Sequence, residues 1–421
     1  MNIQQALTYT HSLKRIGKTP GLACLQAVLE KLGNPQENLS VIHVAGTNGK
    51  GSVCAMTAAI YKAAGYKVGL FTSPYLVSFY ERIQINGERI PAEEYARLAT
   101  KVKAVTDGIG EELSQFAFIT AVGFCWFYEQ ACDVVVLETG LGGRLDATNV
   151  VTRPLVTAIT SVGLDHTDLL GNTLEQIAAE KCGIIKQNVP VVLSPDQPPQ
   201  VIAVAMERAA KKQSQVILPN PSAVAVKEIK PAATRFAYGG KTYSLALGGG
   251  YQPYNGVTAI ETVKAVRLPV TEQAIRQGLA TAVHPARCQV LRAHPLILLD
   301  GAHNPQGAQA LSQTLTAFLG DQKAVGVCGV MSDKAAADLA GAMGGHLCRL
   351  IGVAPHNPRA LPARQVADIF APYCETATAE VDADLLNTLW GETRPVVIFG
   401  SLYLAGEILT LIKPKGEDSH E

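Results

Sequence analysis

The sequence predicts an α/β protein in two domains, and three observations support this. Short apolar runs rich in β-branched residues alternate with segments of helical character over the first half of the chain, which is typical of a parallel sheet. Residues 215–247 instead show short alternating runs around Gly239-Gly240, typical of a small antiparallel sheet. The strand–helix alternation then resumes. We therefore expect a mainly parallel-sheet domain with a small antiparallel subdomain at 1–284, and a smaller Rossmann-like α/β domain at 285–421.

Composition limits the functional class. The chain has 421 residues, of which 48% are hydrophobic and 17% charged, enough for large apolar cores. Its 36 basic and 36 acidic residues give zero formal net charge, so no overall field attracts nucleic acid or an anionic membrane surface. The nine cysteines lack C-x-x-C pairs, and the N-terminus lacks the pattern of a signal peptide. We expect a cytoplasmic monomer acting on small molecules, with neither nucleic acid nor membrane as a partner.

The elements of the first domain follow from apolar periodicity and from helix start and stop signals. The predicted helices are 2–14, 22–32, 53–64, 92–105, 116–130, 174–182, 255–267 and 271–281, with a loop at 17–21. The predicted strands begin at Val41 and then cover 66–72, 133–138, 155–162 and 189–194. Asn86-Gly87, after the alternating residues 82–85, indicates a hairpin.

The stretch from Val41 to Ser52, VIHVAGTNGKGS, is the most informative in the sequence. A strand, a glycine-rich turn and a helix in that order are typical of a phosphate-binding loop. Glycines let the backbone approach a polyphosphate, Lys50 would reach its terminal groups, and a serine hydroxyl can contact Mg²⁺. The spacing from Gly46 to Gly49 is shorter than in the usual pattern. A loop whose glycines only turn the chain is therefore the alternative.

Polar residues follow three further predicted strands. These residues are Ser73, Glu138 and His166. Because the carboxyl ends of parallel strands lie at one edge of a sheet, we expect them close to Lys50. A carboxylate opposite a phosphate loop is a usual magnesium ligand, although Glu138 could instead cap the following loop. A lone histidine is more often a satisfied core residue than a ligand, but its place on this edge favours a metal site.

The segment after Glu138 reads GLGGRLDATN, residues 140–149. Its spacing does not match the G-x-G-x-x-G dinucleotide pattern, and Arg144 onward does not read as a helix start, so we exclude a dinucleotide site. The polar residues Asp146, Thr148 and Asn149 predict a loop that lines a substrate pocket. Lys181 ends a predicted helix, and from the sequence alone it reads as a cation that offsets the helix dipole.

The second domain shows regular strand–helix alternation. Its predicted strands are 296–300, 324–329, 348–353 and 395–399, and its predicted helices are 305–319, 334–344, 361–371, 380–390 and 402–412, followed by a frayed tail from Lys413. His284-Pro285-Ala286 is the candidate linker. Asp300 to Pro305, DGAHNP, has the form of a strand-to-helix turn with polar side chains facing a cleft. Capping of the helix that starts at Pro305 explains the same residues, and both roles can hold together.

These motifs, in this order, resemble the Mur ligase superfamily, and within it the folylpolyglutamate synthases, which are often bifunctional with dihydrofolate synthase. The matching segments span nearly the whole chain: HVAGTNGKGS (43–52), TSPYL (72–76), ERI (81–83), LETGLGGRLDATN (137–149), LDHT (164–167), EKCGII (180–185), DGAHNP (300–305) and GSLYLAGE (400–407). The resemblance implies ATP-dependent amide ligation. A substrate carboxylate would be phosphorylated by ATP, and the amine of L-glutamate would attack the resulting acyl phosphate.

The resemblance also implies roles for individual residues. The implied ATP contacts are Asn48, Gly49, Lys50, Gly51, Ser52, Asn255, Arg287 and Asp300, and the implied Mg²⁺ ligands are Ser73, Glu138 and His166. The implied contacts of the acid substrate, a folate or dihydropteroate, are Pro20, Gly21, Leu22, Ser114, Gln115, Phe116, Leu145, Asp146 and Ala147. The implied contacts of the incoming glutamate are His303 and Ser401. Lys50, Lys181 and His303 are the implied catalytic residues, and the family carbamylates the lysine at the position of Lys181.

Two other functions remain open from the sequence. One is a Mur-type ligase that acts on a non-folate acid such as a cell-wall precursor, which the short segment before the phosphate loop disfavours. The other is a non-catalytic nucleotide-binding switch. The polar turn at 300–304 disfavours a switch, because a switch needs no site for a second substrate.

Overall fold

The computed structural model describes residues 1–14, 22–110, 112–231, 233–332, 334 and 336–412, which fall into two compact units. Unit 1 comprises Met1–Ala223 and Tyr254–Thr281, and unit 2 comprises Val224–Pro253 and Ala282–Glu421. The last crossover between the units lies close to the expected boundary at 284/285. Residues 224–253 group with unit 2, whereas the sequence placed them in the first domain. The expected domain bounds remain a prediction about independently folding parts.

Unit 1 is built from alternating strands and helices. Its helices are α1 (Ile3–Ser12), α2 (Ala23–Lys31), α3 (Lys50–Ala63), α4 (Ala92–Ile109), α5 (Gln115–Glu129), α6 (Thr167–Leu170), α7 (Leu174–Lys181), α8 (Pro199–Lys211), α9 (Gln252–Ala265), which begins at the unit boundary, and α10 (Glu272–Thr281). Its strands are β1 (Val41–Ala45), β2 (Val68–Phe71), β3 (Ile83–Ile85), β4 (Glu88–Arg89), β5 (Val134–Glu138), β6 (Val156–Ile159), β7 (Val191–Leu193) and β8 (Val216–Ile217).

These strands form one sheet in the order β4-β3-β2-β5-β1-β6-β7-β8 in the part of the chain that the structure describes. The six strands from β2 to β8 in this order pair in parallel, and β3 and β4 add an antiparallel hairpin at one edge. Every residue of β1 and of β5 is buried. The continuous apolar character of these strands follows from burial on both faces of a parallel sheet.

Two apolar cores that lie against this sheet are formed by residues that the structure describes. The larger core joins β2 and β5 to helices α1, α2, α4 and α5 through residues such as Phe71, Leu98 and Phe118. The second core joins β6 and β7 to α7 and α8 through residues such as Ile177 and Leu193. Both cores leave the carboxyl ends of the central strands to the loops that follow them.

Unit 2 contains the remaining elements. Its strands are β9 (Ala225–Lys230), β10 (Ala233–Tyr238), β11 (Lys241–Leu245), β12 (Gln289–Arg292), β13 (Ile297–Leu299), β14 (Ala324–Cys328), β15 (Leu347–Gly352), β16 (Glu375–Thr378) and β17 (Val396–Phe399). Its helices are α11 (Pro305–Leu319), α12 (Ala336–Met343), α13 (Ala363–Phe370), α14 (Ala383–Gly391) and α15 (Leu402–Ile412).

Within the described residues, unit 2 has two sheets. β9, β10 and β11 form the predicted antiparallel sheet, with the turn at Gly239-Gly240. The second sheet has the order β12-β13-β17-β14-β15-β16, in which only β12 is antiparallel to its neighbour. The expected fold class, a parallel-sheet domain with a small antiparallel sheet and a second α/β domain, is therefore confirmed.

Most predicted elements occur within a few residues of their expected bounds, and the exceptions have local causes. β12 and β16 lie at the two edges of the second sheet, where partial exposure removes the continuous apolar run that marks a buried strand. Helix α8 follows Pro198-Pro199, a pair that reads as a loop although proline suits a first helical turn. No helix among the described residues combines the length and apolar character needed to cross a membrane. The loop expected at 17–21 and the tail from 413 lie outside the described residues.

The packing of α10 against α3 predicts the effect of a single methyl group. A Cβ added at Gly278 would lie 2.4 Å from Ile60 Cα, so the helices must separate in Gly278→Ala. We expect a loss of about 1–3 kcal/mol in the free energy of unfolding, measured as a lower urea midpoint by circular dichroism. Gly108→Ala in α4 is the control, because nothing lies within 4 Å of its added Cβ. That change should raise stability by about 0.5–1 kcal/mol, and equal midpoints for the two variants would contradict this packing.

Candidate active site

The glycine-rich loop connects β1 to α3 as the sequence predicts. β1 ends at Ala45, α3 begins at Lys50, and Gly49 has φ of 87°, a conformation that favours glycine. An added Cβ at Gly49 would lie 2.4 Å from Asn255 Oδ1, so the side chain of Asn255 lies directly against the loop. Asn255 is buried, at 5% exposure. The structure thus brings together Gly49 and Asn255, which are far apart in sequence.

Two lysine side chains meet at one carbonyl oxygen of this loop. Lys50 Nζ donates to Gly46 O at 3.1 Å and to Thr47 O at 3.1 Å, and Lys181 Nζ donates to Gly46 O at 2.7 Å. Lys181 is 4% exposed. Burial, and next the positive charge of Lys50, lower the pKa of Lys181 to about 7. Lys181 is therefore a buried amine that is only partly charged near pH 7. Its side chain is not the solvated helix-end cation that its position in α7 suggests.

The expected strand-end residues lie on neighbouring strands. β2, β5, β1 and β6 are adjacent in the sheet, and Ser73, Glu138 and His166 follow or end three of them. The backbone N–H of Ser73 donates to Glu138 Oε2 at 3.1 Å, so these two residues are in contact. Glu138 is buried, and its charge together with that of Lys50 acts on the Cys54 thiol, whose pKa is raised chiefly by burial. Glu138 and Lys50 therefore flank a common residue of α3.

His166 has a different environment. It lies at the start of α6 with φ of 49°, its side chain is 40% exposed, and its backbone N–H donates to Asp165 Oδ1 at 2.9 Å. Among the described residues, no three histidine, cysteine, aspartate or glutamate side chains form a group that could hold a metal. The buried carboxylate of Glu138 beside Ser73 still fits Mg²⁺, which usually takes one or two carboxylates and completes its shell with phosphates and water. A role of His166 as a third ligand stays a prediction.

The loop at 140–149 is organised around one carboxylate. Asp146 accepts from Leu141 N at 2.8 Å through Oδ2, and from the N–H and hydroxyl of Thr148 through Oδ1. The side chain of Asp146 is buried, and burial raises its pKa. Leu145, next to it, is 47% exposed. The predicted polar cluster thus forms a closed loop that presents an apolar side chain outward.

The same loop is attached to the helix that carries Lys181. Arg144 N donates to Glu180 O at 2.7 Å, and a Cβ on Gly143 would lie 2.7 Å from Lys181 O. Asn149 Nδ2 donates to Arg144 O and Gly183 O. The loop and the end of α7 therefore form one packed assembly.

The residues implied for the acid substrate have separate local roles in the fold. Ser114 Oγ accepts from Ala117 N and caps α5, and Gln115 Nε2 donates to Thr10 O at 3.2 Å. The ring of Phe116 lies against Gly140, where an added Cβ would be 2.6 Å from Cζ. Leu22 begins α2, and Ala147 is 9% exposed beside Asp146. Pro20 and Gly21 lie outside the described residues.

In unit 2, a second set of polar residues lies at the carboxyl ends of β13 and β17. Asp300 accepts from Ala302 N at 2.8 Å and from Cys288 N at 2.7 Å, and it is 4% exposed. Arg287 Nη1 donates to Ala286 O at 3.0 Å and lies 2.5 Å from the position of a Cβ on Gly301. Arg287, which precedes β12, therefore lies against Gly301, the residue that follows Asp300 in the turn after β13.

The remaining polar residues of this turn act partly as helix caps, as the alternative interpretation expects. Asn304 Oδ1 accepts from Gly307 N at 2.8 Å and caps α11, and Ser401 Oγ accepts from Leu404 N at 3.0 Å and caps α15. His303 Nδ1 lies 2.8 Å from Gly301 O. Gly400 N donates to Ala302 O. His303 and Ser401 are the next residues along the chain, so they lie near each other at the same edge of the sheet.

One buried residue of unit 1, which contacts the loop at 140–149, was not identified from the sequence. His43, in the middle of β1, is fully buried, and its Nε2 lies 2.8 Å from Thr148 Oγ1. A histidine within an otherwise apolar strand is the signal that could have revealed it.

Comparison with known proteins gives a consistent family. Residues 286–402 match the family described as Mur ligase, glutamate ligase domain. The folylpolyglutamate synthase of Lacticaseibacillus casei is 36% identical, with 97% of this chain and 98% of that protein covered. The dihydrofolate synthase/folylpolyglutamate synthase of Bacillus subtilis is 34% identical over 97% and 99% of the two chains. The crystal structure of Mycobacterium tuberculosis folylpolyglutamate synthase complexed with ADP has a TM-score of 0.88 at 31% identity, covering 99% of this chain and 98% of that one.

These matches extend over nearly the full chain, and they agree with a glycine-rich loop, a buried lysine and a strand-end carboxylate brought together in unit 1. The chain therefore belongs to the folylpolyglutamate synthase/dihydrofolate synthase family of ATP-dependent Mur-type ligases.

Proposed function

We propose that the chain joins L-glutamate to folate polyglutamates and to dihydropteroate through an acyl phosphate. The observation that carries this proposal is the meeting of Lys50 and Lys181 at Gly46 O, at the carboxyl end of β1. The names of the relatives in L. casei and B. subtilis support the two acid substrates. They disfavour a non-folate acid, which was the alternative.

Nucleotide binding is proposed for the loop and its neighbours. In unit 1 the backbone N–H groups of residues 49–52 at the start of α3 suit a polyphosphate, whereas Asn48 N donates to Ser161 O and would contribute its side chain. Asn255 lies against Gly49. The ADP complex of the M. tuberculosis relative supports ATP as the nucleotide. The resemblance to the family also assigns Arg287 and Asp300 of unit 2 to ATP, and Arg287 Nη1 lies against Gly301, the residue after Asp300. Lys50 would offset charge on the transferring phosphoryl group.

The residues fit one magnesium ion, and Ser73 and Glu138 would hold it, with His166 proposed as a further ligand. Such an ion, when bound, would neutralise charge on the phosphate oxygens. Glu138 also accepts a hydrogen bond from Ser73 N. This bond keeps the two residues proposed as metal ligands next to each other.

The carboxylate-bearing substrate is proposed to bind against Leu22, Ser114, Gln115, Phe116 and the loop at 145–147. The resemblance also assigns Pro20 and Gly21, which lie outside the described residues, to this substrate. Phe116 and the half-exposed Leu145 offer apolar surface for a flat heteroaromatic ring. The incoming glutamate is proposed to meet His303 and Ser401. His303 would orient the amine, because its Nδ1 is hydrogen-bonded to Gly301 O and its ring direction is thereby set.

We also propose that Lys181 is carbamylated. Carbon dioxide reacts with a neutral amine, and burial of Lys181 favours the neutral form. The product carries a negative charge, which would relieve the contact of two ammonium groups at Gly46 O. We further propose that the enzyme is a monomer and that it is cytoplasmic. The nine free thiols support a reducing compartment.

The first test of function is phosphate release from ATP with glutamate plus dihydropteroate, tetrahydrofolate or neither. We expect release with both pterin acids. Lys50→Ala should lower it by at least about a hundredfold, because charge on the phosphoryl group is no longer offset. Lys62→Ala, at the exposed end of the same helix α3, should leave it unchanged. Release that is independent of every pterin would contradict the proposed substrates.

A second test separates nucleotide contact from backbone strain. Gly49 and Gly65 have φ of 87° and 92°, so alanine strains both, at a cost of about 1–2 kcal/mol. Only at Gly49 does the new Cβ collide with Asn255; nothing lies within 4 Å at Gly65. Gly49→Ala should raise the KM for ATP about tenfold or more, whereas Gly65→Ala should lower the melting temperature and keep that KM. Equal KM values in the two variants would remove Asn255 from the nucleotide site.

A third test addresses Lys181. Because its pKa of about 7 lies below the usual lysine value, the neutral amine increases as the pH rises from about 6 to 8. Activity after equilibration with bicarbonate should increase over the same range. Lys181→Glu, which supplies a carboxylate, should retain more activity than Lys181→Met, which keeps the length without a charge.

Native mass spectrometry near neutral pH should find the added mass of one carbon dioxide on the wild-type chain and none on Lys181→Met. Equal activities of the Glu and Met variants, with no added mass on the wild type, would exclude a functional carbamate.

A further inference from the structure

His43 is a polar residue in a place where the fold needs none. It lies in β1 between Ile42 and Val44, and all five residues of this strand are buried. β1 is paired on both sides, with β5 and β6, so the backbone at His43 is already held by the sheet. A leucine or phenylalanine would fill such a site without the cost of burying two ring nitrogens.

The hydrogen bond of His43 has a defined direction. Thr148 Oγ1 donates its single hydrogen to Asp146 Oδ1, so it must accept the hydrogen bond from His43 Nε2. The imidazole therefore carries its proton on Nε2. Burial and the charge of Lys186 lower the pKa of His43 to about 3, which keeps the ring neutral.

His43 Nδ1 is buried and has no hydrogen-bond partner in the described part of the chain. The ring thus makes one directed polar contact, to Thr148. Simple satisfaction of a core histidine would use both nitrogens. The contact to Thr148 is what distinguishes His43 from the apolar residues around it.

Asp146, at the end of this chain of hydrogen bonds, closes the loop at 140–149. Its two oxygens accept hydrogen bonds from Leu141 N and from Thr148 N, so this one carboxylate holds the two ends of the loop together. Leu145 and Ala147, assigned above to the acid substrate, flank it directly. Thr148 is therefore bonded to the carboxylate that lies between these two residues.

We propose that His43 is a positioning residue for the acid substrate: through Thr148 it fixes the Asp146 loop to the strand that continues into the phosphate loop. This inference rests on the proposed function, since it concerns the binding of the folate or pteroate acid. It makes β1 a common support of the nucleotide loop, which begins three residues later, and of the acid-substrate loop.

The length of the side chain provides a matched test. His43→Gln places an amide N–H near the position of Nε2, whereas His43→Asn carries the same amide one bond too short. We expect His43→Asn and His43→Leu to raise the KM for tetrahydrofolate about tenfold or more and to leave the KM for ATP within about twofold. His43→Gln should restore the wild-type KM for tetrahydrofolate. A merely structural role would affect both substrates together.

Thr148 offers an independent pair. Thr148→Val removes the hydroxyl at constant shape and should reproduce the KM of His43→Leu, and Thr148→Ser should not. The double variant His43→Leu/Thr148→Val should be no worse than either single variant, because both break one connection. This pair also decides the matter if His43 variants fail to fold.

The outcomes separate this inference from the proposed function. Wild-type protein without pterin-dependent turnover would refute the proposed function. An active wild type whose His43→Asn and Thr148→Val variants keep the wild-type KM for tetrahydrofolate would overturn the role of His43 alone. Equal increases in the KM for ATP and for tetrahydrofolate would also overturn it.

Discussion

The carbonyl oxygen of Gly46 accepts hydrogen bonds from two lysine side chains, and the chemistry of unit 1 depends on this contact. Two ammonium groups on one oxygen repel each other, and for the buried Lys181 the repulsion adds to the cost of desolvation. The buried Lys181 has a pKa of about 7 and is therefore only partly charged near neutral pH, while Lys50 donates to Gly46 O and Thr47 O. Glycine is required at position 46 because an added Cβ would lie 1.8 Å from Thr160 Oγ1.

The parallel sheet makes this contact possible. β2, β5, β1 and β6 are neighbours, so the loops that follow them converge although they are separated by many residues. Glu138 ends a fully buried strand, and its carboxylate stays at the edge because every position before it is apolar. The loop at 140–149 then packs onto the end of α7, and this packing positions Lys181. Nucleotide loop, carboxylate and buried lysine are thus three consequences of one strand order.

Unit 2 shows how a residue can have a structural and a functional role together. Asn304 caps α11, as the sequence already indicated for the turn at 300–305, and Ser401 caps α15, which the sequence did not indicate. Asp300 is held by two backbone N–H groups, and the side chain of Arg287 lies against the next residue, Gly301. Capping fixes the backbone at the strand ends, and a fixed backbone is what a binding side chain needs to keep one direction.

The residues alone predicted the fold class, most element bounds and the glycine-rich loop between β1 and α3, because buried strands and helix termini leave patterns that local physics produces. The sequence did not predict edge strands such as β12, because partial burial gives an ambiguous local signal. It also did not predict α8, because the proline pair at its start is ambiguous. The environment of Lys181 and the contact of Asn255 with Gly49 came only from the tertiary structure, because both depend on chain segments distant in sequence. The same holds for His43, whose partner lies 105 residues later. Hydrogen bonds and desolvation act through space, and a linear pattern does not record which groups they join.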